Sequence, residues 1–363
     1  MRSKPKLPLW SIVTPLAGWA AFGAAMATNA GWAEHAWLIV ALLGSVLAAV
    51  HHAEVIAHRL GEPFGTCVVA LAVTIIEVGL IVSIMMAGGP GAEALPRDTV
   101  MAAIMIVLNG IIGACLLVGG IRHGEQAYVQ TGVSAALATV ATMSVITLVL
   151  PNFVTSERGP YYAPEQLAFV GSVSLILYCT FILVQTKRHS DYFVPDEAMQ
   201  EAAEPENKPD LNERSVWLSA ALMVVALIIV VVLAKTLAPL LEAGVAASGA
   251  PKALVGVIIA AIVLLPEGMT AIRAAIGNRL QTSLNLALGS VLASIGLTIP
   301  AVAALALILD WKLVLGISPA NMILLLLTLL VSTLSLSTGR TTIMQGALHL
   351  VLFGVFLFML IVP

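Results

Sequence analysis

Residues 64–88 read FGTCVVALAVTIIEVGLIVSIMMAG, and residues 252–272 read KALVGVIIAAIVLLPEGMTAI. Each run is long enough to cross a bilayer as a helix, which takes about 20 apolar residues. Each carries one carboxylate deep inside it. Glu77 is flanked by Leu71, Val73, Ile75, Ile76, Val78, Leu80 and Ile81, and no Lys or Arg follows until Arg97. Glu267 follows Val255-Gly256-Val257-Ile258-Ile259 and Ile262-Val263-Leu264-Leu265. A carboxylate at mid-bilayer costs roughly 2.5–3.5 kcal/mol on insertion scales, so an intramembrane acid is functional by default. Gly65 stands twelve residues before Glu77, and Gly256 eleven before Glu267. The next spans also correspond: Leu108-Asn109-Gly110 with Gly113 in one, Leu288-Gly289-Ser290 with Ser294 in the other.

The rest of the chain has the same character. Of 363 residues, 60% are hydrophobic and only 10% charged, with a mean hydropathy of +1.01. An ordinary soluble protein carries about 25% charged residues. Most soluble enzymes, disordered chains and secreted disulfide scaffolds are thereby excluded. A net charge of −3 argues against a nucleic-acid partner. The expected fold class is all-α, a polytopic membrane protein with about 11 transmembrane helices. The expected spans are 9–28, 35–57, 64–88, 98–120, 129–150, 165–185, 216–238, 252–272, 282–308, 313–336 and 342–362. With the N-terminus in the cytoplasm, twelve of the 17 Lys and Arg fall inside and five outside. The positive-inside rule therefore places the N-terminus in the cytoplasm and the C-terminus outside.

The first span, preceded by Arg2, Lys4 and Lys6, is longer than a signal-peptide core and reads as uncleaved. One segment breaks the apolar pattern. Between Asp191 and Glu213 lie eight acids, with Pro195, Pro205 and Pro209 among them. The expected organisation is an extra N-terminal helix (1–30), a first five-helix repeat (31–186), an acidic cytoplasmic linker (187–215) and a second five-helix repeat (216–363). Repeats with an odd number of spans insert with opposite topology, and substrate then binds near the midplane where the repeats meet. The linker reads as a solvated connection or a cation-sensing segment; it lacks the ligand spacing of an EF-hand. Cys67, Cys115 and Cys179 lie in apolar runs, away from metal-ligand spacing, and read as small apolar fillers.

The surroundings of the two glutamates suggest their chemistry. Thr74 is three residues before Glu77 and Thr270 three after Glu267, so each can share a face with its carboxylate. Asn109, Ser290 and Ser294 add candidate oxygen ligands on the following spans. Pro266 lacks a backbone donor and frees a carbonyl in the turn behind it. Such hard-oxygen donors suit Ca²⁺ and also accept Na⁺, and no His or Cys at ligand spacing favours a softer metal. Low dielectric favours the neutral form of a carboxylate, and two facing carboxyl groups titrate as a coupled pair. Such a pair holds protons or a cation but not both, which is the physical basis of proton/cation exchange. Glu54, 23 residues before Glu77, and Glu242, 25 before Glu267, are candidates to guide cations or relay protons. Glu62 at the start of a span is a third. Each also fits a snorkelling interfacial residue. His51, His52 and His58 read as interfacial, with pH sensing as the alternative.

At this point the sequence resembles a known family. Gly61-Glu62-Pro63-Phe64-Gly65-Thr66 through Glu77 is similar to the first repeat signature of the ChaA-type calcium/proton antiporters of bacteria. These form part of the cation/proton exchanger branch of the cation/Ca²⁺ exchanger superfamily. The second signature is matched by Leu264-Leu265-Pro266-Glu267-Gly268, Asn278-Arg279-Leu280-Gln281, Leu284-Asn285-Leu286-Ala287-Leu288-Gly289-Ser290 and Ala293-Ser294-Ile295-Gly296-Leu297. The similarity covers nearly the whole chain. It implies one extra span plus two inverted five-span halves in a bacterial inner membrane. It also implies that Glu77 and Glu267 bind the cation (the metal) and carry the proton. Eukaryotic members place Gly-Asn before each signature glutamate; here Thr74 and Leu264 fill the asparagine positions, removing side-chain amides. ChaA-like members are also described as handling Na⁺ or K⁺. The expected function is exchange of cytoplasmic Ca²⁺, Na⁺ or K⁺ for protons by alternating access. A cation channel using the same carboxylates is the alternative. No His-Glu-x-x-His or Gly-x-Ser-x-Gly pattern suggests an enzyme. The expected partners are inorganic cations, protons and membrane lipid, with no cofactor. A homo-oligomer is compatible with the sequence, though no span has an unambiguous dimer face.

Overall fold

The structure is a computed structural model that describes residues 7–27, 32–61, 64–88, 91–195 and 213–362. Glu62 and residues 196–212 of the acidic linker lie outside the described residues. Apolar sequence without water leaves each backbone group to be satisfied within its own segment, and the helix does this. The helices are α1 (Leu9–Ala27), α2 (Trp32–Leu60), α3 (Phe64–Ala87), α4 (Leu95–Met105), α5 (Ile112–His123), α6 (Gln130–Ser144) and α7 (Pro164–Leu183). They continue with α8 (Glu213–Ala247), α9 (Ala253–Ile276), α10 (Leu280–Ala293), α11 (Ile299–Leu309), α12 (Pro319–Ser335) and α13 (Ile343–Ile361).

Two pairs of these helices form single spans. A π-helical segment, Ile106–Ile111, joins α4 to α5, and another, Ser294–Thr298, joins α10 to α11. Among the described residues, ten helical runs are long and apolar enough to cross a membrane, and α12 is a shorter apolar helix. The class is all-α, as the sequence predicts. Among the described residues a two-residue ribbon is the exception: β1 (Gln126–Ala127) pairs antiparallel with β2 (Arg340–Thr341).

The tenth span differs from expectation. The sequence predicts helix from residue 313, but helix α12 starts at Pro319, where Ser318 caps it by accepting from the Asn321 amide at 3.3 Å. Residues 311–318 form neither helix nor strand. Their amides are satisfied by other segments: Val314 N donates to Glu93 O at 3.0 Å, Leu315 N to Pro160 O at 3.1 Å, and Ile317 N to Leu148 O at 3.0 Å. Proline at the first helical position sets the boundary, and those distant carbonyls let a non-helical apolar stretch be buried.

The chain divides into two compact units, residues 1–89 with 206–248, and residues 90–205 with 249–363. Neither unit is one half of the sequence. In the first, α2 is the hub and packs on α1, α3 and α8. Small residues permit close approach there. A Cβ at Gly18 would meet Ser45 Oγ at 3.0 Å and Ile229 Cγ1 at 3.1 Å, and one at Gly79 would meet Val231 Cγ2 at 2.7 Å. His52 Nε2 lies 3.0 Å from Ser11 O and ties α2 to the start of α1. In the second unit α9 packs on α4, α5 and α10, while α13 packs on α5 and α12.

Candidate cation site

The two glutamates fall in different units, Glu77 in the first and Glu267 in the second. Glu77 lies midway along α3, on one face with Val73, Ile76, Leu80 and Ile84, all buried. Leu71 and Ile75 are exposed on the other side. The carboxylate is only 1% exposed, so α3 carries it on its buried face. Thr74 is buried beside it and donates its hydroxyl to Ala70 O at 2.8 Å. That bond uses the hydroxyl proton and leaves lone pairs free to accept a proton or meet a cation. Glu54 on α2 is exposed and Glu242 on α8 half-buried, both in this first unit.

Glu267 is half-buried on α9 directly after Pro266. The Pro266 carbonyl accepts the Thr270 hydroxyl at 3.0 Å, a back-bond one turn long. Thr74 and Thr270 thus hold the same kind of bond in the two glutamate helices. On the next span the Ser290 hydroxyl is buried and makes no hydrogen bond among the described residues. Ser294 is buried at the start of the π-helical segment. Gly268, next to Glu267, faces Ile111: a Cβ there would meet its side chain at 3.1 Å. The segment Ile106–Ile111 is therefore seated against α9 beside the glutamate.

Asn109 occupies that segment and is fully buried. Its amide donates to Thr328 Oγ1 at 2.8 Å, and its carbonyl oxygen lies 3.1 Å from His349 Nδ1. Ser335 Oγ is 2.8 Å from His349 Nε2. The sequence reading places Asn109 as an oxygen donor and passes over the three residues that hold it. Two signals mark them. His349 is the one titratable residue in the apolar run 343–361. Thr328, Ser332 and Ser335 recur at helical spacing along α12.

The other residues of the second signature do different work. Asn278, at φ 56°, ends the turn after α9. Gln126 Nε2 donates to Asn278 Oδ1 at 3.0 Å and to Ala275 O at 2.9 Å. Gln281 accepts the Val129 amide at 2.6 Å and donates to Asn285 Oδ1 at 2.9 Å, and Asn285 donates to Phe193 O at 2.6 Å. These residues join three connecting segments on one side of the second unit. An acid that the sequence reading does not single out, Asp98, pairs with Arg97 at 2.7 Å, and Arg97 also donates to Gly316 O at 3.1 Å. Among the described residues no cluster of three His, Cys, Asp or Glu is arranged to hold a metal. Cys115 is buried, and Cys67 and Cys179 are exposed.

Known proteins resemble this chain in sequence and in fold. The chain is 49% identical over 98% of its length, and 97% of the relative's, to y4hA of Sinorhizobium fredii (strain NBRC 101917 / NGR234), provisionally named an ionic transporter. It is 35% identical to the sodium-potassium/proton antiporter ChaA of Escherichia coli (strain K12), over 88% of this chain and 86% of that one. The fold is similar to native YfkE, with a TM-score of 0.75 at 14% identity over 98% and 100% of the two chains. It is also similar to the H⁺/Ca²⁺ exchanger CAX, with a TM-score of 0.68 at 14% identity over 96% and 88%. The profile of one family, described as sodium/calcium exchanger protein, matches residues 32–187 and again 218–362. With apolar spanning helices throughout and both matched stretches carrying a mid-helix glutamate, the chain is a multi-pass integral membrane protein that belongs to the sodium/calcium exchanger family.

Proposed function

We propose that this protein is a secondary active transporter that exchanges a cytoplasmic cation for protons by alternating access. Ca²⁺ is the first candidate, with Na⁺ and K⁺ beside it, and Glu77 and Glu267 carry both cation and proton. One observation carries this reading: each stretch matched by the family profile has a lone carboxylate midway along an apolar spanning helix. A negative charge there needs a cation or a proton to offset its desolvation. Competition between the two couples their movements. Thr74, Thr270, Ser290, Ser294 and Asn109 are the supporting oxygens in this proposal, and the unpartnered Ser290 hydroxyl favours its inclusion. The two profile matches support an extra helix followed by two repeats, 31–186 and 216–363, joined by the acidic linker. In the proposed orientation, in a bacterial plasma membrane, the N-terminus is cytoplasmic and the C-terminus outside. The relatives named for Ca²⁺/H⁺ and for sodium-potassium/proton antiport set the ions to be compared.

The test uses everted vesicles carrying the full chain, energised to an acid interior and loaded with a pH dye. Addition of Ca²⁺, Na⁺ or K⁺ dequenches the dye if that ion exchanges for protons. Glu77→Gln and Glu267→Gln are each expected to abolish the signal and the matching ⁴⁵Ca²⁺ uptake. Wild-type rates in both variants defeat the proposal.

A further inference from the structure

We infer that His349 is a positioning residue for exchange, which clamps Asn109 and thereby holds the π-helical segment beside Glu267 in place. The inference rests on Glu267 being a cation and proton carrier.

The clamp lies wholly within the second unit. His349 is fully buried on α13, a spanning helix whose one other polar side chain is Gln345 in its first turn. It reaches Asn109 through a seam of glycines. A Cβ at Gly113 would stand 2.9 Å from the His349 Cβ, and one at Gly346 would stand 2.9 Å from Gly113 O. The α5 and α13 backbones are close enough there for an imidazole to bridge to the neighbouring span.

Every polar atom of the bridge has a partner. Reading outward, Ser335 Oγ is 2.8 Å from His349 Nε2, His349 Nδ1 is 3.1 Å from Asn109 Oδ1, and Asn109 Nδ2 is 2.8 Å from Thr328 Oγ1. With the proton on Nδ1, His349 donates to the Asn109 carbonyl and accepts from Ser335, while Thr328 turns its hydroxyl toward Met105 Sδ at 3.5 Å. With the proton on Nε2, His349 donates to Ser335, whose own hydroxyl turns to Ser332 O at 3.3 Å. The Asn109 amide then rotates, giving N–H to His349 and its oxygen to Thr328. Both patterns satisfy all four side chains, so neutral imidazole is the form the site is built for.

The consequence for transport runs through the backbone. A π-helical turn holds one residue more than the α-helix it interrupts, and such turns persist where side chains secure them. Asn109 is inside the turn, and its partners lie on α12 and α13. Ile111, two residues on, is the residue against which Gly268 is seated. Without the clamp the turn is free to relax to α-helix, which rotates its side chains about the helix axis and unseats α9 at Glu267. Hydrogen-bonded residues behind a ligand typically govern metal affinity by about 10- to 100-fold.

Vesicle exchange is measured against cation concentration at a fixed pH gradient. His349→Leu is expected to raise the apparent KM for the cation by about tenfold or more while the maximal rate, normalised to protein in the membrane, stays near wild type. His349→Gln keeps an N–H donor and an oxygen acceptor, and restores most of the affinity. If His349→Leu does not reach the membrane, Thr328→Val and Ser335→Ala carry the same test from the two ends of the chain. Unchanged KM in the variants, or loss of maximal rate without a KM change and without rescue by Gln, overturns the inference. Glu267→Gln is run in parallel: wild-type exchange there defeats the carrier reading itself, whereas its loss beside an unaffected His349→Leu defeats only the clamp.

Discussion

Gly256 lies directly against the backbone of Asp98: a Cβ at residue 256 would stand 2.8 Å from the Asp98 carbonyl carbon. Gly65, its counterpart before the other glutamate, would place a Cβ 2.6 Å from Ala57 O. In both cases the obstacle is backbone, which cannot swing aside as a side chain can. The glycine before each carboxylate therefore allows a close helix approach. Gly256→Ala and Gly65→Ala are each expected to destabilise the protein by about 1–3 kcal/mol through overpacking. Gly289→Ala is the control, because nothing lies within 4 Å of the added carbon. Thermal unfolding in detergent, followed by size-exclusion chromatography, should separate the first two from the third.

Thr74 and Thr270 make the next prediction. Each donates its hydroxyl one turn back, to Ala70 O and Pro266 O, so each oxygen is oriented by its own helix. Replacement by valine keeps the shape and removes the oxygen. Loss of the back-bond itself costs little, since the exchanged carbonyl already serves the helix. Thr74→Val and Thr270→Val should therefore weaken the apparent cation affinity severalfold with thermal stability changed by about 1 kcal/mol at most. Unchanged KM in both would remove the two hydroxyls from the cation's surroundings.

The membrane spans, and the placement of Glu77 and Glu267 inside two of them, were legible because charge is scarce in this chain and a lone acid stands out in an apolar run. The helix class followed for the same reason. Three features were not legible. Residues 313–318 are apolar and read as helix; their non-helical form depends on Glu93, Pro160 and Leu148 carbonyls far away in sequence. Asn109 reads as an oxygen ligand, but which atoms it meets is decided by α12 and α13, whose polar residues carry no recognisable spacing relative to it. Gln126 falls between the expected spans 98–120 and 129–150, where nothing in the sequence marks it, although it is 2% exposed and bonded to the turn after α9. In each case the deciding partner is distant in the chain, and local pattern does not encode it.

Asn285 links the second signature to the segment that leads into the acidic linker. It donates to Phe193 O at 2.6 Å and accepts from Gln281, which itself holds the Val129 amide. Phe193 is buried and its ring packs edge-on against Phe181 at 5.7 Å. Asn285→Leu leaves a buried carbonyl unpaired, a cost of about 1–3 kcal/mol. The expected result is faster tryptic cleavage at Lys187 and Arg188 in solubilised protein, with the cleavage pattern elsewhere preserved. Equal protection of variant and wild type would show that the Phe193 anchor does not depend on this bond.

Glu54 and Glu242 give the last prediction, and the geometry of the first unit makes it directional. Gly18 touches both Ser45 and Ile229, and Gly79 touches Val231, so these residues share one level. Glu54 is nine residues beyond Ser45 on α2, and Glu242 eleven beyond Val231 on α8. At 1.5 Å per residue that is about 13 Å and about 16 Å along the helix axes. In the proposed topology α2 and α8, the second and seventh spans, cross in opposite senses, which puts the two acids toward opposite faces of the membrane. Each carboxylate raises the local cation concentration on its own side, an effect that salt screens. Glu54→Gln should lower the initial rate by roughly two- to fivefold for cation supplied from the cytoplasmic side, in everted vesicles at low ionic strength. Glu242→Gln should do so for cation supplied from the other side, in right-side-out vesicles. Both effects should shrink above about 0.15 M salt, where the Debye length falls below 8 Å. If the two variants are equally slow in both vesicle orientations and indifferent to salt, the acids act inside the transport cycle and not as attractors at its two ends.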